Sequence, residues 1–443
     1  MVRPKGSVRR DLRLSLGDAV GYGLMAGVGE VYLPAFALAL GMRPVLAGLV
    51  ATAPLLAGGA LQLLAPRAIV RVGSLRRWVT ACMTAQAVAF VPLALAALPS
   101  APTAPLVFGG AALYWAAGMA ASAGWNPWMT RVVPERVRGR FFGRRQGAAQ
   151  AAMLVGLLGA GAALQLAAGT TRVREVYVAM FGLALLGRLL SATMIWRQGR
   201  DLDHAPQRRT RMRSLPPRLR GTPRVTVLGY LVVTIAATSI SGPFLTPYLL
   251  EHEHLGYASY SLFTATIVVA KIAALPALGR LIQRVGVRRV LSACALAIAP
   301  IPLLFLVPGG LVWLLAIQLF AGVVWAGFDL GMLIVLFEAE DDSERTTVQV
   351  AFSGLQAIGT AGASLVGGAI IFSLGGDREA YLWAFGVSAA ARLAAGALLI
   401  RGLPARLVRL PVTVAMRAWT LAVRPWGGTI IRPIVDRVRD RDR

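Results

Sequence analysis

The side chains of this sequence that could do chemistry are a few ionisable groups placed inside long apolar segments. Glu30 lies in one such segment, and Asp18, Lys271 and Asp329 lie in the same or similar segments. A charge is costly inside a membrane, so each of these residues is a functional candidate by default. A buried carboxyl group could take up and release a proton, whereas a buried ammonium group needs a counter-charge or the carboxylate of a ligand.

Catalytic and metal-binding patterns are missing from the sequence. The three histidines are His204, His252 and His254, and none of them lies within an apolar segment. Glu251 and Glu253 alternate with two of these histidines and could bind a metal ion. A solvated turn is the simpler interpretation, because no rigid partner helix is implied. We therefore expect no catalytic residue, no metal and no cofactor.

Composition places the ionisable residues in a membrane protein. Hydrophobic residues make up 56% of the 443 residues and charged residues 15%, and the mean hydropathy is +0.64. Apolar runs long enough to cross ~30 Å of hydrocarbon recur along the chain. We predict an all-α polytopic membrane protein with about twelve transmembrane helices. The predicted spans lie near residues 14–40, 45–64, 78–98, 106–128, 146–168, 176–196, 225–250, 258–278, 290–307, 311–336, 348–374 and 381–400.

An internal repeat divides the chain into two halves. Residues 174–189 return as residues 378–393, with seven of sixteen positions identical. The basic stretch 67–77 returns in the same order as residues 280–289. Because the matched residues include arginine, cysteine and tyrosine, chance similarity between apolar segments explains the repeat poorly. The repeat therefore predicts two bundles of six helices.

The repeat also predicts the boundaries of the halves. We place the N-terminal half at 14–197 and the C-terminal half at 225–402, joined by a basic linker at 198–224. The linker is rich in arginine and proline, which is typical of irregular structure. The basic tail at 403–443 resembles an amphipathic segment lying on a membrane surface. A disordered tail is the alternative.

The positions of the basic residues predict the orientation of the chain. Of the 46 lysines and arginines, we assign Arg43, Arg172, Arg174 and Arg378 to turns on one side, three to span interiors, and the remaining 39 to the other side. Such asymmetry places both termini in the cytoplasm, here of a bacterial cytoplasmic membrane. The net charge of +26 then indicates contact of the links and tail with anionic lipid headgroups rather than nucleic acid.

Twelve spans in two halves, with a central linker and basic links after spans 2 and 8, resemble the major facilitator superfamily over about residues 14–400. The family's signature link is G-x-x-x-D-R-x-G-R-R, in which the acid takes part in a gating contact. The C-terminal half carries the matching residues Gly279, Arg280, Gln283, Arg284, Gly286, Arg288 and Arg289. Gln283 stands in place of the acid, and Val70 stands there in the first half. The resemblance implies a monomer in which spans 1, 4, 7 and 10 line a central cavity.

Three carboxylates are the candidates for proton coupling. Glu30 lies about sixteen residues into span 1, which is ~24 Å along a helix rising 1.5 Å per residue. Asp329 and Asp18 lie nearer the cytoplasmic ends of spans 10 and 1, where they could also reach water. A structural carboxylate paired with an arginine is the alternative for Glu30, and capping of a link is a further alternative for the two aspartates.

Six residues are predicted to line a substrate cavity: Tyr22, Trp115, Trp125, Asn126, Lys271 and Trp325. Aromatic rings that face a cavity would offer an adaptable surface to amphipathic ligands. Anchoring at the lipid interface is the alternative for the tryptophans.

Two arginines lie within spans at equivalent positions of the repeat, Arg188 in span 6 and Arg392 in span 12. Duplication at equivalent positions favours a structural task, such as pairing with an acid of the same half. Spans 5 and 11 also match, from Gln150 and Gln356 onward, and their glycines favour close helix packing.

These observations predict a secondary active transporter that works by alternating access and exports a small amphipathic organic molecule in exchange for protons. Three alternatives stay open. The first is uptake of a small anionic metabolite whose carboxylate pairs with Lys271 or Arg188. The second is a non-transporting receptor or assembly partner acting through the tail, and the third is a membrane enzyme.

Overall fold

The structure, a computed structural model, describes residues 5–98, 103–134, 137–198, 223–337, 342–402, 422–423 and 429–430. Nearly all of these residues are helical. Most of the predicted linker and most of the tail lie outside the described residues. The predictions for both segments, and for the boundaries of the halves, therefore stay predictions.

The helices of the N-terminal half follow the predicted order of spans 1 to 6. Their bounds are Lys5–Val28, Glu30–Tyr32 (3-10) and Leu33–Ala39 for span 1, Pro44–Leu49 and Leu55–Val72 for span 2, Leu75–Val88 and Phe90–Leu95 for span 3, Thr103–Val132 for span 4, Arg138–Ala167 for span 5 and Val173–Trp196 for span 6.

The C-terminal half repeats this order as spans 7 to 12. Its bounds are Pro223–Ser239, Gly242–Phe244 (3-10), Leu245–Pro247 and Tyr248–His252 (π) for span 7, Tyr257–Val285 for span 8, Val287–Ile298 and Ile301–Leu304 for span 9, Gly310–Phe337 for span 10, Asp342–Ser373 for span 11 and Arg378–Gly402 for span 12. In the tail, Ala422–Val423 pairs antiparallel with Thr429–Ile430.

The spans are long and apolar enough to cross a membrane. Eleven helices of the described chain pass that test. The segments Leu55–Gln62 and Leu64–Val72 of span 2, which meet at a 54° bend, together make a twelfth candidate. Large apolar side chains point away from the bundle, with Leu166 86% and Val312 81% exposed. A helix surface of this kind suits contact with lipid rather than water. The prediction of an all-α polytopic membrane protein is confirmed.

Spans 1 and 7 are broken at corresponding places, which the sequence repeat did not reveal. A 3-10 turn interrupts span 1 at Glu30–Tyr32 and span 7 at Gly242–Phe244. Pro34 and Pro247 follow the two turns, and each lacks the N–H that a continuous helix would use at that point. Aligned on these breaks, YLPAF at residues 32–36 matches FLTPY at 244–248.

The basic links that follow spans 2 and 8 are tight turns built on glycine. Gly73 has φ 71° and Gly286 has φ 87°, a backbone region that glycine enters at little steric cost. Each turn lies inside one copy of the basic repeat. Arg280 and Arg284 therefore lie on the last turns of span 8, and Arg289 lies on the first turn of span 9.

Glycines let the helices of each half approach closely. A Cβ atom on Gly156 of span 5 would lie 3.1 Å from the carbonyl oxygen of Leu24 in span 1. In the other half, a Cβ atom on Gly367 of span 11 would overlap the carbonyl oxygen of Ile240 in span 7. Spans 1 and 5 and spans 7 and 11 thus pack in equivalent ways.

The hydrogen bonds between the two halves lie at one side of the molecule. We call the side where span 1 begins and span 12 ends the terminal side, and the opposite side the distal side. Three hydrogen bonds between described residues join the halves. They connect Tyr32 to Ser261 (2.6 Å), Thr52 to Ser364 (2.8 Å) and the backbone N–H of Ala258 to Gln165 (3.2 Å). All three lie in the distal part of their spans, and we call them the distal seam.

Candidate functional site

A cavity of about 120 Å³ lies between the two halves, next to the distal seam. Spans 1, 2, 4, 7 and 11 contribute its walls. Gln356 and Thr360 on span 11 precede Ser364 of the seam by about two and one helical turns, so the cavity extends from the seam towards the terminal side. Its lining residues include Glu30, Leu33, Thr52, Leu55, Trp115, Ile235, Ser239, Gln356 and Thr360.

Glu30 is the one ionisable side chain among the described residues that line this inter-half cavity. It is 7% exposed, and its Oε2 atom accepts a hydrogen bond of 2.5 Å from the hydroxyl group of Tyr114. The break in span 1 places the carboxyl group at the cavity wall. A hydroxyl donor can serve either the carboxylate or the carbonyl oxygen of the protonated acid, so this contact is compatible with both states of Glu30.

The surroundings of Glu30 are aromatic. The ring of Tyr114 lies 5.2 Å from that of Trp115 and 5.5 Å from that of Phe90, both edge to face. Gly29 makes room for this packing, because a Cβ atom there would lie 2.6 Å from the ring of Phe90. The predicted proton-coupling residue and the predicted cavity residue Trp115 are thus brought together.

Asp18 lies elsewhere, in a polar network inside the N-terminal half. Its carboxylate forms a salt bridge with Arg145 and accepts a hydrogen bond of 2.6 Å from Ser191. Arg188 in turn donates to Ser191 at 3.0 Å, and its guanidinium group lies 5.3 Å from the ring of Tyr22. Arg188 therefore reaches the acid of its own half through one hydroxyl group.

The structure corrects the position of Arg145, which the predicted spans 106–128 and 146–168 left in the link between spans 4 and 5. Span 5 begins at Arg138, so Arg145 lies two turns inside the helix, and it is only 4% exposed. Its guanidinium group stacks 4.5 Å from the ring of Trp125. Trp125 is therefore a packing partner of this network.

Lys271 and Asp329 form the corresponding buried ion pair of the C-terminal half. The Lys271 Nζ atom donates to Asp329 Oδ2 at 2.8 Å, and the two side chains are 1% and 4% exposed. The Nζ atom lies 5.8 Å from the ring centroid of Trp325. The counter-charge expected for Lys271 thus comes from span 10 of the protein itself.

Arg392 differs from its repeat counterpart. It is 5% exposed and donates to Ser388 Oγ (3.1 Å), Thr238 O (3.2 Å), Ser241 Oγ (3.0 Å) and Ile298 O (3.4 Å). All four acceptors are neutral. Acid pairing, which the sequence suggested as one possible structural task, is therefore not seen for Arg392 within the described chain, and its structural role stays a prediction.

A second cavity, of about 80 Å³, lies inside the C-terminal half among spans 7, 8, 9, 10 and 12. Arg392 and Trp325 are among its lining residues, together with Thr246, Tyr260, Phe263, Phe305, Gln318 and Phe385. Thr238 and Gly242 at the break of span 7 line both cavities. One broken helix thus separates the two spaces.

The remaining predicted cavity residues line neither space. Tyr22 and Trp125 belong to the Asp18 network, and the Oδ1 atom of Asn126 is buried with no described group donating to it. In the predicted gating link, Gln283 and Arg284 are exposed on the terminal side.

Sequence reasoning missed several residues of the inter-half cavity and its seam. Tyr114, Tyr32, Thr52 and Ser261 were not among the residues predicted to line the cavity. Gln356 could have been found, because it heads the match between spans 5 and 11. The other contacts join spans that are distant in sequence, and no local pattern announces them.

The sequence model of the major facilitator superfamily matches the chain twice, at residues 19–240 and 227–435. Among solved structures, a mutant of the nucleoside transporter NupG matches with a TM-score of 0.67 and 13% identity, over 89% of this chain and 100% of that one. The xylose transporter XylE from E. coli, in a partially occluded inward open conformation, matches with a TM-score of 0.65 and 12% identity, over 90% and 98% of the two chains. No curated protein sequence matches the chain.

Proposed function

The chain belongs to the major facilitator superfamily and is a secondary transporter, and we propose that it exports a small amphipathic organic molecule in exchange for protons bound at Glu30. The family assignment favours this transporter over a membrane enzyme. The single observation that carries the proposal is the position of Glu30, which is buried, lines the inter-half cavity and lies at the break of span 1.

Proton binding and substrate transport can be coupled because the proton site and the space for the substrate lie in one cavity. An ionised Glu30 adds a negative charge to a wall that is otherwise uncharged among the described residues, and protonation removes that charge. The two forms therefore interact differently with a substrate and with the two arrangements of the halves. Such a differential interaction is what allows a proton to shift a conformational equilibrium.

The walls of the inter-half cavity suggest the substrate class. Leu33, Leu55, Trp115 and Ile235 give an apolar surface, while Thr52, Ser239, Gln356 and Thr360 supply hydroxyl and amide groups. A molecule with both apolar and hydrogen-bonding parts suits such a wall. Since Glu30 is the only charged lining group of the described chain, we expect the substrate to be neutral or cationic.

The basic links support an assignment of sides. Arg71, Arg76, Arg284 and Arg289 flank the two glycine turns on the terminal side, so we assign that side to the cytoplasm of a bacterium and expect anionic headgroups to bind there. The distal seam is then the closed external side, and the arrangement faces inward. The inward open state of the similar XylE structure supports this assignment.

The uptake hypothesis, in which Lys271 or Arg188 pairs with a substrate carboxylate, receives less support. Lys271 is paired with Asp329, and Arg188 belongs to the Asp18 network through Ser191. Neither cation lines the inter-half cavity. The receptor hypothesis is tested by deleting residues 403–443, because a transporter should keep most of its activity without the tail.

The test of the proposal uses everted membrane vesicles with an imposed pH gradient and a panel of small amphipathic compounds. We expect a few chemically related compounds to collapse the gradient in wild-type vesicles but not in Glu30→Gln vesicles. Glu175→Gln is the matched control, because Glu175 is an exposed acid of span 6. Collapse that persists in Glu30→Gln would exclude Glu30 as the coupling residue. Failure of every compound in folded wild-type protein would count against proton-coupled export.

A further inference from the structure

We propose that the cavity inside the C-terminal half is a binding site for a short-chain monocarboxylate, whose carboxylate group meets Arg392 and whose apolar body lies among the aromatic side chains. This site lies on the other side of the broken span 7 from the inter-half cavity. Three observations support the proposal: a buried cation with no acid among its described partners, an apolar wall, and a difference between the two halves.

The hydrogen bonds of Arg392 leave both charge and donor capacity unused. A guanidinium group has five N–H donors, and four hydrogen bonds to described residues hold it in place. Two of these bonds go to backbone carbonyl groups and two to serine hydroxyl groups. They fix the orientation of the side chain but do not neutralise it.

The N-terminal half shows what is missing. There the equivalent arginine, Arg188, is linked through Ser191 to the carboxylate of Asp18. Aligned on the breaks of spans 1 and 7, Tyr230 occupies the position of Asp18, and in the repeat of spans 6 and 12 Ala395 occupies that of Ser191. The C-terminal half thus has the arginine but neither the acid nor the hydroxyl group at the positions equivalent to Asp18 and Ser191.

An uncompensated buried charge is costly, and in proteins it is normally paired or bound by a ligand. A carboxylate supplies the opposite charge, and the one N–H group of Arg392 outside its four hydrogen bonds can donate to one of its oxygens. The hydroxyl groups of Thr246 and Tyr260, which lie 3.2 Å apart, and the amide group of Gln318 also line the space. They offer further donors to the second oxygen of the carboxylate.

The remaining walls set the size and character of the ligand. Phe263, Phe305, Trp325 and Phe385 surround an apolar space. The cavity measures about 80 Å³, and a cavity of about 150 Å³ is known to hold benzene. A ligand smaller than benzoate is therefore expected, and a monocarboxylate of about four carbon atoms fits this range.

The test measures thermal unfolding of the detergent-purified full-length protein with butyrate, at ionic strength held constant with chloride. We expect a saturable rise in Tm of a few degrees, as for any ligand that binds only the folded state. Butyramide, which has nearly the same shape but no charge, should give no rise. The absence of a rise with butyrate, or an equal rise with butyramide, would overturn the proposal.

Two variants locate the site. Arg392→Gln should abolish the rise, and Ala321→Leu should abolish it by filling the cavity, since Ala321 is buried and lines it without contacting the hydrogen bonds of Arg392. Ala316→Leu, on the exposed face of the same helix, is the matched control and should keep the rise in Tm.

If Arg392→Gln does not fold, the result with Ala321→Leu decides. A rise that survives Ala321→Leu would place butyrate elsewhere and contradict the proposal. Because no gradient or transported compound is used, this outcome is independent of the transport assignment.

Discussion

Spans 1 and 7 are broken at corresponding places, but different chemistry lies next to the two breaks. In the N-terminal half the break carries Glu30, which faces the inter-half cavity and is hydrogen-bonded by Tyr114. In the C-terminal half the same position is Gly242, and the charged group beside it is Arg392, inside the bundle. The repeat has thus preserved a backbone irregularity while each half has acquired its own charge. Under the proposed function, proton coupling is therefore expected at the N-terminal break and not at the C-terminal one.

The buried ion pairs differ between the halves in the same way. Asp18 and Arg145 join spans 1 and 5, whereas Lys271 and Asp329 join spans 8 and 10. Neither pair lines the inter-half cavity. We therefore interpret both as structural, although Asp18 and Asp329 were predicted from the sequence as candidates for proton coupling.

The largest expected effect is that of breaking a buried pair. Asp329→Asn leaves the Lys271 ammonium group buried without its counter-charge, and removal of one partner of such a pair typically costs about 3–5 kcal/mol. We expect a large loss of folded protein, measured as a lowered Tm in detergent. The double variant Lys271→Met and Asp329→Leu should recover most of the loss. If Asp329→Asn keeps wild-type stability but stops transport, Asp329 is functional and the interpretation of this ion pair as structural is wrong.

The two breaks should respond differently to a single methyl group. A Cβ atom on Gly29 would lie 2.6 Å from Phe90, while one on Gly242 meets nothing within 4 Å. Gly29→Ala should therefore cost about 1–3 kcal/mol through overpacking, and Gly242→Ala should leave the free energy of unfolding nearly unchanged. Thermal unfolding of both variants measures the difference. Equal losses would mean that the breaks are not packed as described.

Removal of the hydroxyl group that serves Glu30 should have a smaller effect. Tyr114→Phe keeps the ring packing against Phe90 and Trp115 but deletes the hydrogen bond to the carboxyl group. A lost hydrogen bond of about 1 kcal/mol corresponds to roughly a five-fold change, so we expect a transport rate about five-fold lower at unchanged Tm. Tyr230→Phe, in the C-terminal half, is the control. An unchanged rate in Tyr114→Phe would show that this contact does not influence coupling.

The smallest expected effect concerns the distal seam. Thr52→Val removes its hydrogen bond to Ser364 with little change of shape, which should favour opening of the distal side by about 1 kcal/mol. Spin labels on Thr170 and Asp377, in a variant without Cys82 and Cys294, would report a larger share of long distances. An unchanged distance distribution would show that this bond does not hold the halves together.

The sequence predicted the fold well because membrane spans and repeats are local signals. Apolar runs identified the spans, and the repeated basic stretches contain the turns at Gly73 and Gly286. The partner of each buried charged side chain could not be predicted, because the rotation and packing of the helices decide which buried groups are in contact. Lys271 was recognised as needing a counter-charge, but only the structure identifies Asp329. Arg145 was placed in the link between spans 4 and 5 because its arginine-rich surroundings are typical of a loop. Span 5 in fact begins at Arg138.

The candidate site residues that were chosen for their depth in a span are the ones that line the inter-half cavity. Glu30 was chosen for its distance along span 1, and Trp115 for its depth in span 4, and both line the inter-half cavity. Tyr22, Trp125 and Asn126 were chosen by residue type on cavity-facing spans and line neither cavity. The helix number predicts which span faces a cavity, but not which face of that span does.

The most direct test of the account separates substrate exchange from proton coupling in proteoliposomes that contain Glu30→Gln. We expect counterflow of a transported compound, which needs only the moving halves and the substrate site, to continue. Accumulation driven by a pH gradient should be lost, while Glu175→Gln performs both. If Glu30→Gln still accumulates the compound against its gradient at the wild-type level, the proton is carried elsewhere and the central claim is wrong.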